Sequence, residues 1–318
     1  MSSRSKLTSG PCTLFGFCLS WAVTACEDPL IDPATVDGPR ILGARVRTEA
    51  DPRVAEPRAG ERATLEWLAV SNRPEPLSAT LAWCLATQSV LGAPRCSGPG
   101  FGERVVTGQF GDPVTFELTL PAELLPGDVW LAWFGHCDAG EARFDAEASA
   151  FTCPGGAEPL RAFYRGFVPA GAPNHNPSLE DDVLLLGGAP WPEPAQATVP
   201  GTGCSETSLP RLVGGVASLI ELELLGDDRE LLEEEQDRYA ARDRESLVYT
   251  HVSSRAGLER AFSAIDFDAD EQRFALPVAF GVDGDPGPEG EVVFFYLIVR
   301  DERGGVDWLR REACLLSP

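Results

Sequence analysis

Short apolar or alternating runs recur along this chain, and clusters of glycine, proline and aspartate interrupt them roughly every ten residues. This pattern is typical of the strands and tight turns of antiparallel β-sandwiches. In the first half the predicted strands are Ile41–Val46, Ala63–Val70, Ala79–Leu85, Arg104–Phe110, Val114–Leu120, Val129–His136 and Leu160–Val168. In the second half they are Leu179–Leu186, Ala217–Leu225, Ser246–Ser253, Leu258–Ile265, Phe274–Phe280, Val292–Arg300 and Val306–Leu315. The pattern therefore predicts a mainly β protein.

The alternation within single strands predicts which side chains face a core. One side of two first-half strands is apolar, and we expect it to be buried; it carries Leu81, Trp83 and Leu85 in one strand and Val129, Leu131 and Trp133 in the other. Residues 292–299 are apolar on both faces. Such a run predicts a central strand that is covered on both sides.

Two stretches without strand periodicity divide the chain. Residues 26–39 contain several prolines and acids, which predicts a flexible tether, and residues 169–177 (PAGAPNHNP) predict a linker. We therefore expect one sandwich domain at residues 40–168 and a second at residues 178–318.

Residues 227–245 (DDRELLEEEQDRYAARDRE) depart from the β pattern. They are strong helix formers, with acids at the start and arginines towards the end, an order that suits the helix dipole. We expect an acidic helix inserted in the second domain. It either covers a sheet edge, which we favour, or forms an arm that binds a partner.

The first 25 residues have the three zones of an export signal. Arg4 and Lys6 precede an apolar stretch at residues 14–22, and Val23-Thr24-Ala25-Cys26 resembles the lipobox of bacterial lipoproteins. The apolar stretch is far shorter than the ~20 residues of a membrane-spanning helix. This interpretation makes residues 1–25 a lipoprotein signal peptide and Cys26 the site of lipid (palmitate) attachment. The alternative is a secreted protein that is cut after Ala25.

Charge and composition limit the possible partners and chemistry. The net charge is −23, which argues against a nucleic-acid partner because phosphate backbones are bound by clustered cations. Lys6 is the only lysine, and it lies in the predicted leader. The mature chain therefore cannot use a Schiff-base lysine or a P-loop lysine.

Nine cysteines fit an oxidising compartment. Cys12 and Cys18 lie in the leader, and Cys26 is the predicted lipid site. The other six cysteines are expected to form disulfides, and none of them has the C-x-x-C spacing of zinc or redox sites. Sequence spacing favours the pairs Cys84–Cys96, Cys137–Cys153 and Cys204–Cys314. A Cys84–Cys137 pair is the main rival, because both residues end strong strand patterns.

Two segments carry a family resemblance. Residues 298–308 (IVRDERGGVDW) resemble the final hairpin of bacterial PKD-like and cadherin-like Ig-fold modules, in which a V-x-D-x-x-G turn joins the last two strands; Val299, Asp301 and Gly304 fill that pattern. Residues 39–69 resemble the opening of related Ig-like modules. The chain as a whole resembles bacterial lipoproteins built from two such modules. The resemblance implies two Ig-like β-sandwich domains and does not by itself imply a function.

Catalytic and metal-binding motifs are scarce. The three histidines are His136, His175 and His251, and no H-E-x-x-H, G-x-S-x-G or P-loop motif is present. The alternative is a Ser-His-acid cluster whose members are distant in sequence and meet only in the folded chain.

The one metal candidate is a run of alternating acids. Asp266, Asp268 and Asp270 alternate as in a calcium loop, but Glu271 and Pro277 occupy the positions at which an EF-hand has its glycine and its bidentate glutamate. We expect an acidic turn there, with a surface calcium site as the alternative and no other cofactor.

Three tryptophans are candidates for a sugar-stacking platform: Trp130 and Trp308 if their faces are exposed, and Trp191 in the APWPEP loop as the one most expected to be exposed. We therefore expect a lipid-anchored cell-envelope protein of structural, adhesive or protein-binding type, without catalytic activity. Its expected partners are the membrane, through the N-terminal lipid, and an envelope protein or glycan. The alternatives are a carbohydrate-binding accessory module of the cell surface and a divergent hydrolase.

Overall fold

In a computed structural model of the protein, the residues described are 33–73, 75–86, 95–97, 102–179, 184–194, 198–204, 206–225, 245–265, 273–282 and 286–318. The first-half strands are β1 (Arg40–Thr48), β2 (Arg62–Val70), β3 (Pro76–Leu85), β4 (Gly102–Gln109), β5 (Pro113–Thr119), β6 (Val129–His136), β7 (Arg143–Asp145), β8 (Ala150–Thr152) and β9 (Leu160–Phe167). The second-half strands are β10 (Leu184–Leu186), β11 (Ala189–Pro190), β12 (Arg211–Val213), β13 (Ser218–Leu225), β14 (Leu247–Ser253), β15 (Phe262–Ile265), β16 (Arg273–Phe280), β17 (Glu291–Arg300) and β18 (Val306–Leu316). Within these ranges the one helical element is a 3₁₀ turn at Pro154–Gly156, and no helix has the length and apolarity needed to cross a membrane.

The first half forms a β-sandwich. One sheet has the order β1-β2-β5 and the other the order β4-β3-β6-β9, with antiparallel neighbours throughout. Successive strands change sheets between β2 and β3, β4 and β5, and β5 and β6, which is the connectivity of Ig-like sandwiches. The core between the sheets is built around Trp67, Leu81, Trp83, Trp130 and Phe134.

The second half forms another sandwich. Its sheets have the orders β11-β10-β13-β16 and β12-β18-β17-β14-β15, and its core includes Tyr249, Phe280, Phe295 and Leu297. The pairs are antiparallel except β12 with β18, which is parallel. The prediction of a mainly β protein of Ig-like sandwiches is confirmed. The predicted helix at 227–245 lies outside the described residues, except for Glu245, which is buried and not helical.

The prediction of a doubly covered strand is also confirmed. β17 lies between β14 and β18, and eight of its ten residues are buried. Val293, Phe295, Leu297 and Val299 face the second sandwich core, whereas the alternate residues face a third cluster. That cluster also contains Val36, Leu42, Leu68 and Val70 from the first half, and therefore joins the two halves.

The prediction of a flexible tether at residues 26–39 is wrong for residues 34–36. Ala34, Thr35 and Val36 are buried, and the Val36 amide donates to the carbonyl of Ser253 on β14 at 2.8 Å. Val36 is apolar, and packing against the third cluster removes it from water, which the polar composition of the segment obscured. Residues 26–32 lie outside the described residues.

Residues 169–177 contain no strand or helix, yet two of their asparagines hold both halves. The Asn174 side chain donates to the Asp301 carboxylate (2.9 Å), and the backbone N–H of Asn174 donates to the Glu56 carboxylate (2.8 Å). The Asn176 side chain donates to the Val46 carbonyl (2.7 Å) and accepts from the Val306 amide (3.0 Å). Each asparagine thus joins a first-half residue to a second-half residue.

The DERGG turn between β17 and β18 is closed by its own aspartate. The Asp301 carboxylate accepts the amides of Arg303 (2.8 Å) and Gly305 (2.7 Å), and Gly304 has a φ of 100°. Burial raises the pKa of Asp301, while the bonds from Asn174 and the turn amides oppose that rise. The aspartate and glycine of the V-x-D-x-x-G pattern therefore have structural roles here.

Candidate ligand-binding groove

The outer face of the β4-β3-β6-β9 sheet carries a second, smaller core. The hairpin β7–β8 lies on this face, and its Phe144 and Phe151 cover Leu131 and Trp133 of β6. The side of β6 that was expected to be buried is buried, but Leu131 and Trp133 belong to this second core. Trp130, Ala132 and Phe134, on the other side of β6, fill the core between the sheets. Both faces of β6 are apolar, and alternation alone does not say which face meets which partner.

A glycine lets the hairpin lie close to the sheet. A Cβ atom on Gly135 of β6 would lie 2.4 Å from Cδ1 of Phe151, so a larger residue there would collide with the ring. The Thr80 hydroxyl, on the neighbouring strand, donates to the carbonyl of Ala142 at the base of the hairpin (2.6 Å).

Two disulfides hold the loops beside this hairpin. Cys84 pairs with Cys96 and Cys137 with Cys153, while Cys204–Cys314 lies in the second half. These are the pairs that the sequence spacing favoured, and the rival Cys84–Cys137 pair is not formed. In the loop-entropy model each short-loop disulfide contributes about 3 kcal/mol.

A groove of about 540 Å³ opens between the hairpin and β9. Its walls include Trp133 of β6, Arg161 and Phe163 of β9, Ser149 of the hairpin turn and Arg95. A groove of this size can take several sugar rings or a short segment of chain.

Ser149 links the hairpin to the loop that carries Arg95. Among non-glycine residues of the described ranges it alone has a positive φ, 50°, a conformation that costs about 1 kcal/mol or more. Its hydroxyl accepts the amide of Cys96 at 2.8 Å, next to Arg95. The strained serine therefore positions one arginine of the groove.

The exposed side of β9 alternates cations with aromatic rings. Arg161, Phe163, Arg165 and Phe167 point outwards, while the residues between them pack against the main core. Phe163 is 47% exposed and Phe167 37% exposed. The Arg165 guanidinium lies 4.8 Å over the ring of Phe167.

The exposed ring of Phe163 is fixed from below. Its centroid lies 5.3 Å from that of Trp133, which lies 5.7 Å from Phe144, and Phe144 lies 5.0 Å from the buried Phe151. This chain of tilted rings makes Phe163 a preorganised contact surface rather than a loose side chain.

Among the described residues, the arginines of the groove lack acidic partners. Arg95, Arg161 and Arg165 form no ion pair within the part of the chain that the structure describes. The Trp133 indole N–H also finds no acceptor there. The groove therefore offers donors and positive charge in a protein whose net charge is −23.

A second cleft, of about 500 Å³, differs in this respect. It runs past Arg45, Arg47, Asp307 and Arg310. Arg45 pairs with Glu66 and Asp307, and Arg310 with Asp112 and Glu312, so its charges are largely neutralised from within. Burial raises the pKa of Asp307, and Arg45 acts against that rise.

The tryptophan platform predicted from the sequence is not formed. Trp191, expected to be exposed, is fully buried, because its loop folds back over the end of the second core. Its ring lies 5.0 Å from that of Phe295, and its Nε1 donates to the carbonyl of Glu312 at 3.0 Å. Trp130 and Trp308 are buried as well. Among the described residues the large exposed aromatic side chains are Phe163, Phe167 and Phe262, and the alternation of residues 160–167 was the signal that could have indicated the first two.

The three histidines have structural partners. His136 Nδ1 lies 2.7 Å from the Ser78 carbonyl, and His175 forms an isolated bridge with Val54. His251 Nε2 lies 3.0 Å from the Ser263 hydroxyl, and both residues are buried. Burial and the nearby Arg260 lower the pKa of His251 to about 4. A carboxylate partner in a hydrolytic triad would act in the opposite direction.

Two of the predicted sites lie outside the described residues. They are the lipid site Cys26 and the calcium candidates Asp266, Asp268 and Asp270. The described residues contain no cluster of three or more His, Cys, Asp or Glu side chains placed to hold a metal ion.

Comparison with known proteins gives little further guidance. No protein-family model and no curated protein matches the chain. Among solved structures, a transglutaminase from red sea bream aligns with 87% of this chain at 11% identity and a TM-score of 0.26. A dimeric latent PorU from Porphyromonas gingivalis aligns with 89% at 8% identity and a TM-score of 0.19. The chain spans 31% and 24% of those two proteins, and likeness at these scores carries no argument about function.

Proposed function

We propose that this protein is a lipid-anchored binding protein of the bacterial cell envelope, without catalytic activity, and that its groove holds an acidic envelope partner. The observation that carries the proposal is a half-exposed Phe163 between arginines that form no ion pair with any residue the structure describes. Aromatic residues, phenylalanine included, and arginine are enriched in protein binding surfaces.

Three disulfides support a location outside the cytoplasm, in an oxidising compartment where such bonds persist. The lipid anchor rests on the sequence of residues 1–26. An acidic body is repelled by anionic lipid headgroups, so membrane attachment would depend on the lipid at Cys26.

The anchor is tested by intact mass and membrane fractionation of the native protein beside Cys26→Ala. We expect the wild type in the membrane fraction with acyl mass on Cys26, and the variant in the soluble fraction. A soluble wild type that begins at an unmodified Cys26 would overturn the anchor and favour a secreted protein.

The groove is tested by photocrosslinking in the native envelope. A photoreactive phenylalanine analogue at position 163 is compared with one at position 262, because Phe262 is also exposed (56%) and belongs to the second half. We expect a specific crosslinked product from position 163 that is missing from position 262. Equal crosslinking from both positions would show that the groove is not the binding surface.

A further inference from the structure

We infer that the ligand of this groove is a polysaccharide that carries carboxylate groups. This inference rests on the proposed function, since it names the chemical class of the partner held in the same groove.

The charges of the groove select an anion. Arg95 and Arg161 line it and Arg165 follows on the same strand, with no carboxylate among the groove-lining side chains and no ion pair to these arginines in the described residues. A guanidinium group binds a carboxylate through two parallel hydrogen bonds, which are stronger than hydrogen bonds between neutral groups.

The aromatic surface selects an apolar contact beside that anion. The Phe163 ring has no polar atom, so C–H groups of a ligand can cover its exposed part without leaving a polar group unpaired. The faces of sugar rings present such C–H groups, while their hydroxyl and carboxylate oxygens lie at the ring edge. A uronate unit therefore combines both contacts in one ring.

The spacing along β9 suits a polymer. Arg161, Phe163, Arg165 and Phe167 alternate every second residue, which places successive groups about 6.6 Å apart and spreads the row over about 20 Å. A chain whose units each present an apolar face and an acidic group can contact several of these positions at once.

The hydrogen-bonding character of the groove disfavours an acidic peptide. An extended peptide needs acceptors for its own amides, and sheets supply them at a strand edge. The groove opens over the side-chain face of β6 and β9, whereas the unpaired backbone groups of β9, the last strand of its sheet, lie at the sheet edge and not on this face. Its charged side chains are arginines, which donate only. Sugar hydroxyl and carboxylate oxygens match these donors.

The test uses the purified lipid-anchored protein in detergent and follows intrinsic tryptophan fluorescence, with calorimetry as a second readout. The probes are polygalacturonate and alginate, a methyl-esterified polygalacturonate that lacks the charges, and polyglutamate that lacks the sugar. We expect one of the two uronate polymers to bind, with at least about tenfold weaker binding of the ester, as expected for loss of a charged hydrogen bond.

Variants assign the binding to the groove. We expect Arg161→Gln and Phe163→Ala to weaken binding about tenfold, whereas Arg58→Gln and Phe262→Ala, which change exposed residues elsewhere, leave it unchanged. Circular dichroism of each variant establishes that it is folded.

The outcomes separate the two proposals. Equal binding of the esterified polymer or of polyglutamate would overturn the inference, since sugar and charge would not both be required. A lack of binding to both uronate polymers, together with specific crosslinking from position 163, would overturn the inference and leave the proposed function. A lack of binding without such crosslinking would overturn both.

Discussion

At the scale of single residues, the described histidines and tryptophans that the sequence offered as candidate site residues pack or hydrogen-bond within the fold. His251 is neutral and buried against Ser263, and Trp191 closes the end of the second core. The side chains that are left exposed at the groove, such as Arg161 and Phe163 on β9, belong to no sequence motif. Burial and hydrogen bonding therefore show which of these side chains are taken up by the fold, which residue type alone does not.

His251 predicts a specific pH dependence of stability. Its pKa is about 4 in the folded protein and near 6.5 in the unfolded chain, so the unfolded state takes up a proton first as the pH falls. Its contribution is complete above pH 6.5 and is lost between pH 6.5 and 4, by up to roughly 3 kcal/mol. We expect His251→Gln to lose less stability than the wild type over this range in urea unfolding.

Buried carboxylates with raised pKa values, Asp301 and Asp307, are common to both proteins in that comparison and cancel in the difference. A difference in unfolding free energy that stays constant from pH 7.5 to 4.5 would show that His251 does not titrate in this way.

At the scale of elements, the β7–β8 hairpin creates the groove. It is held by the ring of Phe151 over Gly135, by the bond from Thr80 to Ala142 and by the neighbouring disulfides. The hairpin itself is short, and a two-stranded hairpin is marginal in water without such support. The groove therefore depends on how tightly the hairpin packs on the sheet.

Gly135→Ala tests this dependence. The added Cβ would meet Phe151 and force the hairpin away from β6, with a cost of about 1–3 kcal/mol typical of overpacking. We expect a lower melting temperature and loss of ligand binding at the groove. Gly38→Ala is the matched control, since no atom lies within 4 Å of its added Cβ. Equal melting temperatures for the two variants would contradict this account.

At the scale of the whole molecule, the two sandwiches are joined by more than the connecting chain. The third cluster combines side chains of both halves, Arg45 pairs with Asp307, and Asn174 and Asn176 bond to both halves. Buried polar groups that satisfy one another in this way are costly to leave unpaired. The asparagines therefore make the 169–177 segment part of the interface.

The double variant Asn174→Ala/Asn176→Ala tests the interface. It leaves the Val306 amide and the Val46 carbonyl without their partners, and removing such bonds typically costs about 1–3 kcal/mol each. We expect faster proteolytic cleavage within residues 169–177 and a lower unfolding midpoint. Asn72→Ala is the control, because the Asn72 side-chain oxygen has no hydrogen-bond partner in the described residues. Cleavage at the wild-type rate in the double variant would contradict this role.

The sequence by itself determined most of the strands and the β class. Alternation reports which residues share a face, and a run apolar on both faces correctly marked β17 as covered on both sides. The short spacings of Cys84–Cys96 and Cys137–Cys153 favoured the observed pairs, because short loops bring their ends together readily.

The tertiary structure alone decided which faces are covered and by what. Alternation did not show that the hairpin would cover Trp133 or that the loop of Trp191 would fold inwards. These outcomes depend on contacts between residues far apart in the chain, and the local hydrophobic pattern is the same whether or not such a partner arrives. The groove could not be located from the sequence, because its lining residues come from separate segments that only the tertiary structure brings together.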